Sequence, residues 1–217
     1  MKKLIIFDLD GTIINTLIDL KNSLNHALFL HNLPPRTLEQ TRKAIGNGVS
    51  KLIERSIPES IGKEEQKIML QEFREHYLVH AADSTLPYDG VFNLLIKLKN
   101  DGYKLAVCTN KLQEAAEQLV NKMYPNLFDI IVGDQEGLRK KPEPDMVKLV
   151  LSKLNVSKKD ALYIGDSEVD KQTAVNSGID YIVETYGYRT KDEWYLMDPH
   201  QKTVSSPEEI YKVIKEL

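Results

Sequence analysis

The first residues along the chain that could do chemistry are Asp8 and Asp10, which close an otherwise apolar run in Leu4-Ile5-Ile6-Phe7-Asp8-Leu9-Asp10-Gly11-Thr12. Side chains two apart on a strand point to the same face. At the carboxyl end of a parallel strand they project into the crevice where α/β folds place ligands. Two carboxylates so close repel, and one is driven toward neutrality unless a cation lies between them. Mg²⁺ suits such a pair: it takes oxygen ligands, few of them protein carboxylates, and completes its shell with water and phosphate oxygens. An Asp-Leu-Asp-Gly turn that merely ends a strand is the competing account.

Three further groups follow or precede apolar runs. In Gly165-Asp166-Ser167-Glu168-Val169-Asp170, Asp166 is expected to start a helix, with Asp170 four residues on and on the same face. Acids also favour first turns for the helix dipole alone. Cys108-Thr109-Asn110 offers a hydroxyl and an amide that could hold a phosphoryl oxygen, helped by N–H groups of a following helix start. A plain N-cap would look the same, and Cys108 itself reads as a small core residue. In Lys140-Lys141-Pro142-Glu143-Pro144-Asp145, Pro142 holds Lys141 extended and Pro144 suits a first helical turn. A lysine fixed there could neutralise phosphate; a solvated charge run is the alternative. What joins the four groups is position. All fall at or just beyond the ends of strands of one sheet, and together they read as one site.

The elements that must position them are legible in the periodicity. Apolar β-rich runs lie at 4–7, 104–108, 129–132 and 161–164, with a weaker one at 181–183. Helical spacing falls between them at 91–98, 115–123, 146–154 and 169–177, the last stopped by Gly178. This alternation predicts an α/β fold, a Rossmann-like parallel sheet with helices on both faces. Residues 15–85 break the rhythm with four helical segments, 17–30, 38–45, 49–57 and 64–80, separated by Leu33-Pro34-Pro35 and Pro58-Glu59-Ser60. They read as a four-helix cap, so the expected domains are a core of 1–14 with 86–217 and a cap of 15–85. The stretch 84–90 is the return hinge. Ser206-Pro207 starts a last helix, with Ser as N-cap and Pro at its first position.

The bulk composition sets the class. The chain has 217 residues, 41% apolar and 28% charged, as expected of a globular protein with a real core. Its 29 basic and 32 acidic residues give a net charge of −3, with no strong basic field to suggest nucleic acid. One cysteine excludes an internal disulfide framework. The N-terminal apolar run is far too short for a signal or membrane segment, so a cytoplasmic protein without membrane partners is expected. His26, His31, His76, His80 and His200 show no metal-ligand spacing tied to the motifs. Trp194 and Tyr195 are expected to pack the C-terminal segment. Tyr186 and Tyr188 are read as flanking the site or anchoring a loop.

In this order, Asp8-Leu9-Asp10-Gly11-Thr12, Thr109, Lys141 and Gly165-Asp166-x-x-x-Asp170 resemble the four motifs of the haloacid dehalogenase superfamily. The resemblance spans essentially the whole chain, including a helical cap after the first motif. It implies that Asp8 attacks phosphorus to form an aspartyl-phosphate. Asp10 would protonate the leaving oxygen and later activate water. Mg²⁺ would be held by Asp8, the backbone carbonyl of Asp10, and Asp166, with Asp170 in or behind its shell. Thr109 and Lys141 would bind the transferring phosphoryl group, with Asn110 beside them. Dehalogenases of the superfamily lack the second acid, so Asp10 favours phosphate chemistry. Asn15 stands where the family usually has Asp, a departure at the cap hinge rather than in the catalytic set.

Residues 44–57, 109–111, 140–145 and 185–188 resemble phosphoglycolate phosphatases. Gly46-Asn47-Gly48 could form an anion-binding nest for a substrate carboxylate, with Lys51 or Arg55 nearby; an ordinary helix–helix turn is the alternative. The expected partner is a small phosphorylated metabolite, and both monomer and homodimer stay open. A pyrophosphatase, a broad sugar phosphatase and a phosphomutase of the same superfamily share these catalytic residues. A phospho-accepting receiver module is shorter, carries its acceptor on a later strand and lacks the insert.

Overall fold

The computed structural model describes residues 2–46 and 48–217. Two compact units emerge, Met1–Ile14 with Pro87–Leu217, and Asn15–Leu86.

The first unit is built on β1 (Leu4–Phe7), β4 (Lys104–Leu112), β5 (Ile130–Asp134), β6 (Ala161–Gly165), β7 (Asp180–Glu184) and β8 (Thr203–Val204). They form one sheet in the order β5-β4-β1-β6-β7-β8, with every pairing parallel. Four consecutive apolar residues in β1 are the signature of a strand covered on both faces, and all four are fully buried. Leu4 and Ile6 share one face with Ala106, Cys108 and Tyr163, against Met146, Val147 and Val150 of α7 (Asp145–Leu154) and Ala174 of α8 (Glu168–Ser177). The sheet's other layer draws on α5 (Val91–Asn100) and α6 (Gln113–Met123), which also pack on β4, and on α10 (Pro207–Glu216), which packs on α5. The chain is thus an α/β fold with helices on both faces of a parallel sheet.

The second unit holds α1 (Leu17–Leu30), α2 (Leu38–Ala44), α3 (Val49–Ser56) and α4 (Lys63–His80). Leu24, Leu28, Ile53, Met69 and Phe73 form the centre of its own core. The Thr37/Gln40 capping box starts α2. Asp19, buried, accepts from the Ser84 backbone N–H at 3.0 Å and the Thr85 hydroxyl at 2.7 Å, tying α1 to the end of the unit. The chain passes between the units through β2 (Ile14–Asn15) and β3 (Leu86–Pro87), which pair as a two-stranded sheet. Asn15 Oδ1 accepts from the Leu17 N–H at 3.2 Å, so the amide supplies the acceptor that opens α1, whose Thr16 gives no side-chain cap. Among the described residues no helix is long and apolar enough to cross a membrane.

Two local expectations are corrected and two elements are added. β4 does not stop at Cys108: a register shift between Cys108 and Leu112 carries it on, and α6 starts only at Gln113. Thr109 and Asn110 therefore lie within a strand, not at a helix start. Asp166 does not begin α8, because Ser167 is its N-cap. Finally, α9 (Lys191–Met197) and β8 were not apparent from periodicity. Seven and two residues are too few to show a repeat; α9 is defined by its Thr190/Glu193 capping box.

Candidate active site

The site forms where β1 ends. The Asp8 N–H donates to the Ile164 carbonyl at 2.9 Å, extending the ladder with β6 by one residue past the apolar run. The chain then coils back, and the Leu9 carbonyl accepts from the N–H groups of Thr12, Ile13 and Ile14. Gly11 makes this possible at φ +90°; a Cβ there would stand 2.8 Å from Asp166 Oδ2 and from the Tyr188 ring.

Asp8, Asp166 and Asp170 come together although 158 residues separate the first from the second. One carboxylate oxygen of each lies within 4.8 Å of the others, and all three residues are buried. Asp170 is drawn in by helix capping. As the third residue of α8 it accepts from the Ser167 N–H at 3.2 Å and the Ser167 hydroxyl at 2.5 Å through Oδ2, which leaves Oδ1 for the site. Gly165 lets it approach, since a Cβ at 165 would collide with the Asp170 side chain. Asp166 is fixed from outside the sheet: its Oδ2 accepts from the Tyr188 N–H at 2.9 Å, and its carbonyl accepts from Trp194 Nε1 at 2.9 Å. Trp194 thus anchors the site rather than only packing the C-terminal segment.

Lys141 lies among the acids, its side chain 3% exposed. Nζ is 2.7 Å from Asp8 Oδ1, 2.7 Å from Asp170 Oδ1 and 3.1 Å from the Tyr163 hydroxyl. Tyr163 in turn donates to the Cys108 carbonyl at 3.0 Å. Both ends of the Asn110 amide clasp the Lys141 backbone, Oδ1 accepting from its N–H at 2.8 Å and Nδ2 donating to its carbonyl at 3.0 Å. Thr109 is buried, and its hydroxyl accepts from the Lys111 N–H at 3.2 Å. The Asp10 carboxylate stands apart from the cluster and is held by Lys111 Nζ at 2.8 and 3.1 Å.

The electrostatics follow from this crowding. Burial, then Asp170, raise the Asp8 carboxyl to about 7 against the opposing pull of Lys141. Burial, Asp170 and Asp8 hold Asp166 well above the carboxylate range. For Lys141, burial works against the charge, but Asp170 and Asp8 outweigh it and raise its pKa. Glu184, fully buried at the end of β7, accepts from the N–H groups of Tyr186 and Gly187 through Oε2, while Oε1 takes no hydrogen bond. Burial and Asp166 push its carboxyl up as well.

Of the residues expected at a cap subsite, Asn47 lies outside the described residues. Gly48 is the N-cap of α3 at φ +85°, and Gly46 has φ +121°. Arg55 Nη1 donates to the carbonyls of Ala44, Ile45 and Gly46 at 3.1–3.3 Å, while Lys51 pairs with Glu54 at 2.7 Å. Sequence reasoning missed Lys111, Tyr163 and Glu184. Each sits on or at the end of a strand already recognised, and a polar atom on a buried strand was the available signal.

A model of the family described as haloacid dehalogenase-like hydrolase matches residues 5–183. A phosphoglycolate phosphatase of Cereibacter sphaeroides is 32% identical over 98% of both chains. Phosphoglycolate phosphatase 1 of Pseudomonas aeruginosa is 34% identical over 87% of this chain and 71% of its own. Among solved structures, a protein from Lactobacillus delbrueckii subsp. bulgaricus designated a phosphoglycolate phosphatase superposes with a TM-score of 0.92 at 33% identity, covering 99% of each chain.

Proposed function

The chain belongs to the haloacid dehalogenase-like hydrolase family, and on that footing we propose that it is a phosphatase that cleaves 2-phosphoglycolate to glycolate and phosphate through an aspartyl-phosphate on Asp8. The observation that carries this reading is Lys141, whose ammonium is 2.7 Å from both Asp8 and Asp170 inside a buried acid cluster.

Asp8 attacks phosphorus as the ester P–O bond breaks, and Asp10 gives its proton to the departing oxygen. Water then attacks the aspartyl-phosphate, Asp10 takes the water's proton, and the acyl-phosphate P–O bond breaks to release phosphate and restore Asp8. Lys141 lowers the cost of bringing phosphate to a carboxylate, and Thr109 contacts a phosphoryl oxygen. Asn110 serves by fixing the Lys141 backbone.

The residues present fit a divalent cation. Ionising all three carboxylates against one ammonium would leave two negative charges in a buried space, which is why Asp8 and Asp166 are pushed toward neutrality without a cation, and oxygen-only donors match Mg²⁺. Asp8 and Asp166, with the Asp10 backbone carbonyl, would hold it, and Asp170 stands in or behind that set because Ser167 and Lys141 already engage its oxygens. When bound, such an ion supplies charge neutralisation and Lewis-acid polarisation of phosphoryl oxygens. A carboxylate contact from Gly46, Asn47, Gly48 and Arg55 has less support, because backbone carbonyls occupy the Arg55 guanidinium. A small phosphorylated metabolite as partner belongs to the same reading and rests on the family and its named relatives, and a cytoplasmic setting is added from composition.

The test is phosphate release with Mg²⁺ from 2-phosphoglycolate, glucose 1- and 6-phosphates, pyrophosphate and a nucleotide, with wild type and Asp8→Asn side by side. Preference for 2-phosphoglycolate, abolished by the substitution, is expected. Turnover that survives in Asp8→Asn would sink the mechanism.

A further inference from the structure

Beside Asp10 the core carries another buried ammonium whose position the phosphoryl chemistry leaves unexplained. The Lys111 side chain is only 5% exposed and pairs with both oxygens of Asp10, itself 22% exposed. We propose that Lys111 determines specificity by binding a negatively charged group on the leaving alcohol, so that this protein selects phosphomonoesters of short hydroxy acids. This deepens the proposed phosphatase reading and rests on it.

The argument is one of position. Lys141 joins Asp8 to Asp170 and belongs to the nucleophile and the phosphoryl group. Asp10 meets the ester oxygen, so whatever it protonates comes within two hydrogen-bond lengths of Lys111 Nζ. Lys111 also follows Thr109 by two residues on β4, with its N–H bonded to the Thr109 hydroxyl, which ties the leaving-group cation to the phosphoryl-binding residue. A leaving group bearing its own carboxylate approaches a region of four aspartates, Asp8, Asp10, Asp166 and Asp170. It is repelled unless a cation stands at the point of approach, and Lys111 is placed there. A neutral sugar alcohol has no such need. A carboxylate on the carbon next to the ester oxygen is short enough to reach the ammonium while the ester oxygen meets Asp10. The cap cations Lys51 and Arg55 are engaged by Glu54 and by carbonyls of 44–46, so the anchor is better sought in the core.

The experiment compares kcat/KM for 2-phosphoglycolate and for 2-hydroxyethyl phosphate, its neutral counterpart of similar size, in wild type, Lys111→Met and Lys111→Arg with Mg²⁺. The readout is the ratio of the two, because removing Lys111 also disturbs Asp10 and lowers both rates. In Lys111→Met the ratio should fall about 10- to 100-fold, the range for losing a hydrogen bond to a charged group, mainly through KM. Lys111→Arg should keep most of it. Should Lys111→Met fail to fold, Lys111→Gln is read in the same way. A ratio unchanged in the neutral variant, however far both rates drop, overturns the proposal and leaves Lys111 as an orienter of Asp10. Wild type cleaving both esters equally overturns it while the phosphatase reading stands. Wild type cleaving neither overturns both.

Discussion

Replacing Asp8, the proposed nucleophile, should stabilise the metal-free protein. Asp8 goes from an ordinary 3.8 to about 7 in the fold, through burial first and Asp170 second, with Lys141 opposing. Its charged form is therefore disfavoured by about three pH units, on the order of 4 kcal/mol at 1.36 kcal/mol per unit. Asparagine mimics the neutral acid in shape and carries no such cost. The sign follows from linkage: below pH 3.8 Asp8 is protonated in both states and nothing is lost. As pH rises toward and through about 7 the unfolded chain ionises first, and native stability falls. Asp8→Asn should thus gain roughly 2 kcal/mol at pH 5.5 and roughly 4 at pH 8. For a chain of this size the latter is a rise of roughly 8–16 °C in Tm. The assay is thermal unfolding in EDTA followed by the fluorescence of Trp194, the chain's single tryptophan, which is bonded to the Asp166 carbonyl and so reports the site. Adding Mg²⁺ should raise the wild type more than the variant and narrow the gap. An Asp8→Asn protein that melts at or below wild type at pH 8 without metal, or a gain that persists undiminished at pH 4, would refute the reasoning.

Two substitutions test the supports of each unit. Gly165→Ala drives a methyl into the Asp170 side chain; Mg²⁺ affinity and kcat should both drop more than about tenfold, and wild-type values for both would show that Asp170 can move without consequence. Asp19→Ala leaves the Ser84 N–H and the Thr85 hydroxyl without their buried acceptor. A loss of about 2–4 kcal/mol is expected in unfolding followed by far-ultraviolet circular dichroism, and a change below about 0.5 kcal/mol would contradict it.

The sheet was legible because its strands are covered on both sides, which leaves runs such as Leu4-Ile5-Ile6-Phe7 with no polar residue to confuse the period. The same physics exposed the site, since Asp8, Thr109 and Asp166 interrupt or follow such runs. What the sequence hid was the reason for each convergence. Asp166 and Asp170 suggest one helical face by spacing, yet they meet because Asp170 folds back on the Ser167 cap while Asp166 stays outside the helix. Asn110 reads in sequence as a ligand for substrate, and the structure adds that both ends of its amide clasp the Lys141 backbone. Lys111, Tyr163 and Glu184 showed only as polar atoms on or beside buried strands, and their roles stayed hidden because long-range pairing, not local pattern, decides what a strand-borne polar atom faces.

The parallel register of β1 has a consequence for how the chain is made. Leu4 lies beside Lys104 on one flank and Ala161 on the other, so the central strand leaves the ribosome well before either neighbour exists. At roughly 5–20 residues per second, about 8–30 s pass between synthesis of β1 and synthesis of β6. The helices of 15–86 are completed in that interval and have a core of their own to form around, while the apolar strand that carries Asp8 waits unpaired. A nascent chain that has passed Lys141 but not yet reached Asp166 carries Asp8 and Lys141 but neither Asp166 nor Asp170. The acid cluster can assemble only after the sheet closes around β1, so in the newborn protein catalytic competence is a late report that folding of the core has finished.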